Sequence, residues 1–451
     1  MQLNKALSNL LTFWIPVKRY RKKVRKRISS FFSDTMMRKS KLKQFLYLNN
    51  CYKKTLERIH KKILNNEKIN VCFIGYQDGA SCDVFTSLYH LFNADKNFNV
   101  SVICLPFNHD SEIDMLEHQR VAMEYLKTLQ IPAIPGYDEK NHIFINHHDK
   151  YDIVFYEVDY DWIRPEFSVS NFPNALNFFV PYGQFLADNI DYHFSQKMMS
   201  EFYRIYPTAK NVMTMMKKYS YIKGLNINPE FLGNPKTELF FDKKYQPKDV
   251  WKTQKSKVKK IIWAPHHLWA NYSNFLQYKD FFIELAKKYQ QEIQFAFKPH
   301  PALKGSLLEK AGWSQKEVDD YYHAWETMPN TQLETGAWTD LFLTSDAMIM
   351  DSIGFMLEYS LTGKPACVQY KEDENHQRVM KFSECGEQMF DLLYHSKNEN
   401  EIVSFIDNVV LNNNDIKKSE RQQYITENYL PPYGNTASQN IYDDVKRKVG
   451  L

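Results

Sequence analysis

Three turns hold the residues best able to do chemistry. Ala264-Pro265-His266-His267 and Lys298-Pro299-His300-Pro301 each follow a short apolar run, and Asp351-Ser352-Ile353-Gly354 follows a third. A helix that starts at Ser352 points free backbone N–H groups and its positive dipole end at whatever sits above it, and a phosphate is the natural guest. Imidazoles and an ammonium group add donors of the same preference, so the three turns together suit a pyrophosphate. His266, His300 and Lys298 would then offset charge on a leaving nucleotide, as clamps do on transferring phosphoryl groups. Glu358, about two turns into the helix, could accept hydrogen bonds from ribose hydroxyls. This chemistry requires no metal and no cofactor. Each residue taken alone also has an ordinary reading: Ser and Asp are common N-caps, Glu358 a solvated acid, each histidine a loop residue. The convergence of three turns is harder to ascribe to coincidence.

Such turns must be positioned by strands and helices. Leu341 to Thr344 and Ala347 to Met350 are apolar runs of strand length. Ile353, Met356, Leu357 and Ser360 share one helix face, Gly363 stops that helix, and Pro365 to Val368 reads as the next strand. Strand, turn, helix, strand is the repeating unit of a parallel sheet. Lys260–Ala264 and Ile293–Phe297 are earlier strands of the same series, with helices at Asn274–Tyr289, 303–311 and 315–327. Residues 379–428 read as mostly helical and Asn435 to Lys448 as a terminal helix. In an open α/β sheet the loops at strand C-termini face one crevice, where ligands bind. Distant turns can therefore meet there.

The first half alternates in the same way. Ile69–Gly75, Asn99–Leu105, Asp152–Tyr156 and Asn177–Val180 are strand patterns, with helices at Val84–Phe92 and Ile113–Leu129. This predicts a doubly wound α/β domain. Gly75 to Gly79 is not GxGxxG, so the usual dinucleotide fingerprint is absent. The polar stretch from Gly233-Asn234-Pro235 to Lys260 reads as a linker. The expected layout is an extension at 1–60, domains at 61–240 and 250–430, and a C-terminal helix at 431–451.

The length, 451 residues, fits two or three domains. With 43% hydrophobic and 15% aromatic residues a large core is available and global disorder is excluded. The cysteines Cys51, Cys72, Cys82, Cys104, Cys367 and Cys385 are scattered without a CxxC, which fits a reducing cytosol better than a disulfide frame or a zinc site. No run approaches the ~20 apolar residues of a membrane span, and no signal peptide is expected, because the apolar stretch precedes the positive charge.

Net charge is unevenly placed. Residues 1–43 hold 13 Lys and Arg and one acid, Asp34, a net +12, whereas the remaining 408 residues hold 45 bases and 52 acids, a net −7. Leu3, Leu7, Leu10 and Trp14 recur at helical spacing, and eight cations follow between Lys18 and Arg27. An apolar face followed by cations suits an anionic membrane surface, where each cation contributes up to ~1 kcal/mol. Residues 1–30 are thus expected to hold the protein at such a surface. Nucleic acid is not expected as a partner, since the rest of the chain is acidic and has no binding motif. A helix packed on the core with a solvated basic end is the plainer alternative.

Other signals are weaker. Asp159-Tyr160-Asp161 matches a three-residue DxD pattern, which arises readily by chance. His147-His148-Asp149 and His109-Asp110 lack a partner at ligand spacing. There is no GxSxG and no Walker loop.

The second half resembles the CDP-glycerol/CDP-ribitol polyol-phosphate transferases that build teichoic acids and capsule polymers. The matching pieces are Gly233-Asn-Pro-Lys-Thr, Ala264-Pro-His, Lys298-Pro-His300-Pro, Ser345-Asp346 through Asp351-Ser352 to Glu358-Tyr359, Gly363-Lys-Pro365 and Gly434-Asn-Thr-Ala-Ser438. They run in family order over 233–440. The resemblance implies two Rossmann-like domains facing a cleft, the GT-B type, and peripheral attachment at the inner face of the cell membrane. It implies transfer of an alditol phosphate from a CDP-alditol to a hydroxyl of a polymer or lipid-linked acceptor, with release of CMP. By the same resemblance His266 and His300 are catalytic, and His267, Lys298, Ser345, Asp351, Ser352, Ile353, Gly354 and Glu358 bind the donor. There are departures. The first half is similar only in layout and in Tyr182-Gly183. Many members carry a His-Gly there, thought to supply the acceptor base, where this chain reads Val180-Pro181-Tyr182-Gly183-Gln184, and the family's arginine before His-Pro is Lys298. Asp78, in the first strand-end loop, is the substitute base expected. A nucleotide-sugar glycosyltransferase of the same fold, or a binding partner that kept the fold and lost the base, are the rival readings.

Overall fold

A computed structural model of the chain describes residues 18–75, 83–106, 112–158, 163–220, 228–252 and 258–451. Asp78, His109-Asp110 and Asp159 to Asp161 lie outside the described residues, as does the leucine and tryptophan stripe of the first seventeen positions.

Among the described residues fourteen strands occur in chain order: β1 Ile69–Gly75, β2 Phe98–Cys104, β3 Ala133–Pro135, β4 Tyr137–Asp138, β5 Ile143–Phe144, β6 Ile153–Tyr156, β7 Leu176–Phe179, β8 Arg204–Ile205, β9 Lys259–Ala264, β10 Ile293–Phe297, β11 Thr331–Leu333, β12 Ala347–Met350, β13 Ala366–Gln369 and β14 Tyr394–Ser396. β4 and β5 form a small antiparallel hairpin. The others make two six-stranded sheets, ordered β3-β2-β1-β6-β7-β8 and β11-β10-β9-β12-β13-β14, with the registered pairs parallel. Both are the doubly wound order. Each reverses direction beside its first strand, between β1 and β6 and between β9 and β12, and crossovers diverge there to leave a crevice.

The strands are apolar on both faces because helices cover both. Phe73, Phe155 and Phe178 stack through the first sheet, with ring centroids 4.8 and 5.2 Å apart. In the second, the fully buried Trp263 stacks on Phe282 at 4.1 Å and Phe297 at 5.1 Å. A third apolar cluster joins the domains, bringing Tyr156, Phe179 and Leu186 together with Met350, Leu357 and Phe382. Gly386 marks the closest approach: a Cβ there would stand 2.2 Å from the Leu186 carbonyl oxygen.

Several elements differ from the sequence reading, among them short strands at β3, β8 and β11 that it did not name. Leu341 to Thr344 belongs to a helix, Thr339–Thr344, and not to a strand. A four-residue apolar run cannot separate the two by periodicity, and here Leu341 and Phe342 are buried from one helical turn. β14 lay unrecognised within the helical 379–428 stretch because it is three residues long at a sheet edge. The linker is partly ordered, as the 3-10 helix Pro235–Phe240, whose buried Glu238 accepts the Ser438 N–H at 2.7 Å.

Two helices flanking the domains in sequence pack on the first domain. Helix Lys18–Leu64 buries Leu48, Tyr52 and Ile59 in that core, and Arg58 and Lys62 clasp the buried Asp152 at 3.2 and 2.6 Å. The terminal helix, Ala437–Val449, returns to place Ile441, Val445 and Val449 in the same core, and Tyr206 donates to its Asp444 at 2.9 Å. Among the described residues no helix is long and apolar enough to cross a membrane.

Candidate functional site

The second sheet delivers its turns to one place. β9 ends at Ala264, two residues before His266; its neighbour β10 ends at Phe297, before Lys298 and His300; its other neighbour β12 ends at Met350, before Asp351. Backbone bonds stitch the two histidine turns together: the Lys298 N–H donates to the Trp263 carbonyl at 2.8 Å, and the His300 N–H to that of Pro265 at 3.0 Å. The Asp351 carboxylate crosses the switch point and accepts the His266 N–H at 2.6 Å and the Asn274 N–H.

The three imidazoles consequently touch. Ring centroids are 4.1 Å apart for His266 and His267, 4.5 Å for His266 and His300, and 4.6 Å for His267 and His300. Burial pushes His266 down to about 3, helped by its two neighbours, and His300 down to about 4, helped by His267; burial also lowers His267. All three are therefore neutral near pH 7. The His266 and His267 Nδ1 atoms are buried with no hydrogen-bond partner among the described residues. His300 Nδ1 accepts the Ala302 N–H at 3.1 Å, which puts its proton on Nε2.

Ligand nitrogens of the three rings lie within 4.8 Å of one another, the spacing a divalent cation could also use. The His300 tautomer favours an anion instead, because a ring with Nδ1 already accepting offers a donor at Nε2 and not a lone pair. His147, considered above for metal, is buried and pushed down to about 4 by that burial, and it belongs to no such cluster among the described residues.

The helix Ile353–Ser360 starts beside this cluster. Ser352 stands at its N-cap, yet its hydroxyl makes no capping bond, so it does not serve the helix in the ordinary way. Ile353, Gly354 and Glu358 line a cavity of about 370 Å³ whose opposite wall comes from the first domain, through Glu157, Tyr182 and Gln184 among others. Glu358 is not a solvated acid. It is buried and paired with Lys236 of the linker at 2.8 Å.

Not every expected residue reaches the site. Ser345 precedes β12 and so sits at the opposite edge of the sheet, buried, bonded to the Phe342 carbonyl and the Tyr359 hydroxyl at 2.9 Å each. Asp351 is fully buried with its oxygens taken by two backbone N–H groups, so it clasps the histidine turn. Like His266, His267, His300, Lys298 and Ser352 it lies outside the cavity lining, which the second domain supplies through Ile353, Gly354 and Glu358. Lys298 is also buried; its ammonium donates to the Gly336 carbonyl at 2.7 Å, and burial lowers it to about 8 against the pull of Glu334 and Glu358.

Glu157, Gln184, His193 and Lys236 line the cavity without having been singled out from the sequence. Glu157 had a readable signal: it directly follows β6, at the first sheet's switch point, where Asp351 stands in the second.

The depressed histidines make stability depend on pH. An unfolded histidine titrates near ~6.5, so below that value the unfolded chain binds protons that His266 and His300 in the folded protein refuse until about 3 and about 4. Their contribution is complete above the unfolded value and is lost as pH falls. Asp351, raised by burial to about 6, acts in the opposite sense, its contribution being lost as pH rises through that value. Urea denaturation from pH 7.5 to about 4.5 is expected to show wild-type stability falling more steeply than that of a His266→Asn/His300→Gln double variant; equal slopes would count against the buried neutral cluster.

No family model matches the chain, and no curated protein does. Solved structures do. MnaA of S. aureus, in a structure with UDP, aligns over 85% of this chain and 97% of its own, with a TM-score of 0.55 and 14% identity. The UDP-GlcNAc 2-epimerase of Neisseria meningitidis, bound to UDP-GlcNAc, aligns over 84% and 100%, with a TM-score of 0.51 and 12% identity. The wall teichoic acid polymerase TagF covers 88% and 98% at 12% identity, but its TM-score is 0.46, too loose to discriminate anything. The first two show the fold: two Rossmann-like domains of GT-B type.

Proposed function

We propose that the chain is a transferase acting on a nucleotide-activated donor, and that it moves an alditol phosphate, glycerol phosphate or ribitol phosphate, from a CDP-alditol to a hydroxyl of a cell-envelope polymer or lipid-linked acceptor. The observation that supports this most is the meeting of His266, His267 and His300 beside an uncapped helix start. Donor hydrogens and a dipole end gathered at a switch point suit a pyrophosphate. The residue resemblance over 233–440 narrows the donor to a CDP-alditol.

In this reading the phosphates rest on Ser352 and the N–H groups of Ile353 and Gly354. The acceptor oxygen attacks the β-phosphorus, the bond to the bridging oxygen breaks, and CMP leaves carrying that oxygen. His300 and His266 donate hydrogen bonds to the departing phosphate, where charge grows. Glu358 is placed for the ribose, on condition that it exchanges Lys236 for hydroxyl donors. The acceptor proton passes to a carboxylate of the first domain. Asp78 is the sequence-based proposal, and Glu157 lines the cavity itself.

Incubation with a panel of CDP-alditols and nucleotide sugars tests the reading. The expected products are CMP and a new phosphodiester, with turnover surviving EDTA because the anion site is built from protein donors. A nucleoside diphosphate with a new glycoside would turn the reading to a glycosyltransferase, and no turnover of any donor would leave a binding protein.

Residues 1–30 are proposed to hold this enzyme peripherally at the anionic, cytoplasmic face of the membrane. The net +12 of residues 1–43 against −7 elsewhere supports this. High salt shortens the Debye length from ~10 Å at 0.1 M to ~3 Å at 1 M, so partial release from anionic liposomes is expected in salt. Full release should need replacement of Trp14 and the leucines as well. Equal liposome binding by full-length and Δ1–30 protein would overturn the proposal.

A further inference from the structure

Gln184 occupies an unusual position on the first-domain wall. It is 8% exposed, and neither its Oε1 nor its Nε2 has a hydrogen-bond partner among the described residues. A buried amide with both ends unsatisfied is destabilising, and a partner recovers that free energy. The side chain lines the interdomain cavity, so the partner can be a ligand.

The backbone that follows it is held in an unusual conformation. Phe185, next in sequence, sits at φ 57°, a left-handed conformation costly for a bulky residue. The second domain holds that segment in place: Ser383 donates through its hydroxyl to the Phe185 carbonyl at 2.8 Å and through its N–H to the Leu186 carbonyl at 2.7 Å. Ala187 pairs with Phe382 in an isolated bridge. The segment that carries the amide is thus fixed at the cleft by contacts from the second domain.

The chemistry of the missing partner follows. A primary amide offers a donor and an acceptor side by side. Two neighbouring hydroxyls answer both, since each can donate and accept. A phosphate answers only the donor and would face the amide oxygen with its own lone pairs. Tyr182 and Phe185 on the same wall give apolar surface for the C–H face of a polyhydroxylated carbon chain. We propose that Gln184 is a specificity residue that reads a pair of adjacent hydroxyls on a neutral polyol or sugar terminus. This rests on the reading of the cleft as a transferase site, and the hydroxyl pair can belong to the donor's alditol or to the acceptor's end.

Gln184→Met keeps length and removes both polar atoms. The variant is expected to fold with a melting temperature equal to or above that of the wild type, and to keep the thermal shift given by CMP. It should lose the saturable shift given by ribitol or glycerol and raise one KM about tenfold, the worth of one hydrogen-bond pair. A higher donor KM assigns the hydroxyls to the donor, and a higher acceptor KM to the acceptor. The polyol titration needs no turnover. If the wild type binds polyol, Gln184→Met does not, and no CDP-alditol reacts, the transferase reading falls and Gln184's role stands. A variant with a lowered melting temperature, or with polyol shift and both KM values unchanged, overturns the proposal.

Discussion

Replacing His300 by alanine is expected to lower kcat for CMP release by about 10²–10³-fold, the usual cost of removing one donor from a developing negative charge. His300 is placed for this by two contacts: its N–H is fixed to the Pro265 carbonyl, and its Nδ1 accepts the Ala302 N–H, leaving Nε2–H as the outward donor. The ring is neutral in the resting protein because burial and His267 hold it at about 4. A bound pyrophosphate reverses that balance, since an adjacent anion favours the imidazolium. Donor binding by the wild type should therefore take up protons and tighten as pH falls from about 7.5 to about 6. In His300→Ala that dependence should flatten. Steady-state kinetics across pH, with the melting temperature as a check on folding, measures both. An unchanged kcat, or a pH dependence of donor KM that survives the substitution, would remove His300 from the site.

Much of this site could be read from residue order, because its parts sit at strand ends. Phe297-Lys298-Pro299-His300 announces a strand and its turn within a few residues, and the parallel-sheet rule then says which edge the turn faces. That rule also had the means to reject Ser345. It precedes β12 and so lies on the far edge, whereas the family resemblance alone had offered it as a donor contact. Asp351 illustrates a different limit. A carboxylate beside a helix start reads equally well as a ligand contact or as a clasp, and only the adjacency of β9 and β12 decides between them. The first-domain wall was harder still. Glu157, Gln184 and His193 come from separate loops with no repeat or spacing to join them, and what unites them is a cavity formed when two domains close. The terminal helix likewise carries an amphipathic pattern, but nothing in that pattern says that Ile441 and Val445 return to the first core and not the second.

The clasp leads to the second large effect. Asp351→Ala orphans two buried backbone donors, the N–H groups of His266 and Asn274. Each such loss costs about 1–3 kcal/mol, so about 2–6 kcal/mol of folding stability is at stake. Asp351→Asn keeps one acceptor oxygen and turns an NH₂ toward the other donor, so it should fall between wild type and alanine. Turnover should fall as well, by about 10²-fold for a displacement near 1 Å, although Asp351 touches no substrate. Two measurements separate positioning from binding. A donor-contact residue would raise donor KM and leave stability nearly untouched, whereas the clasp should lower kcat and the urea midpoint together. A double-mutant cycle with His266→Asn goes further, since residues sharing one bonded unit couple by about 0.5–3 kcal/mol and independent ones do not. The expected result is a clear coupling in kcat, because a histidine already removed has no position left to lose. Additive losses in kcat would mean that Asp351 stabilises the fold without holding the histidine turn.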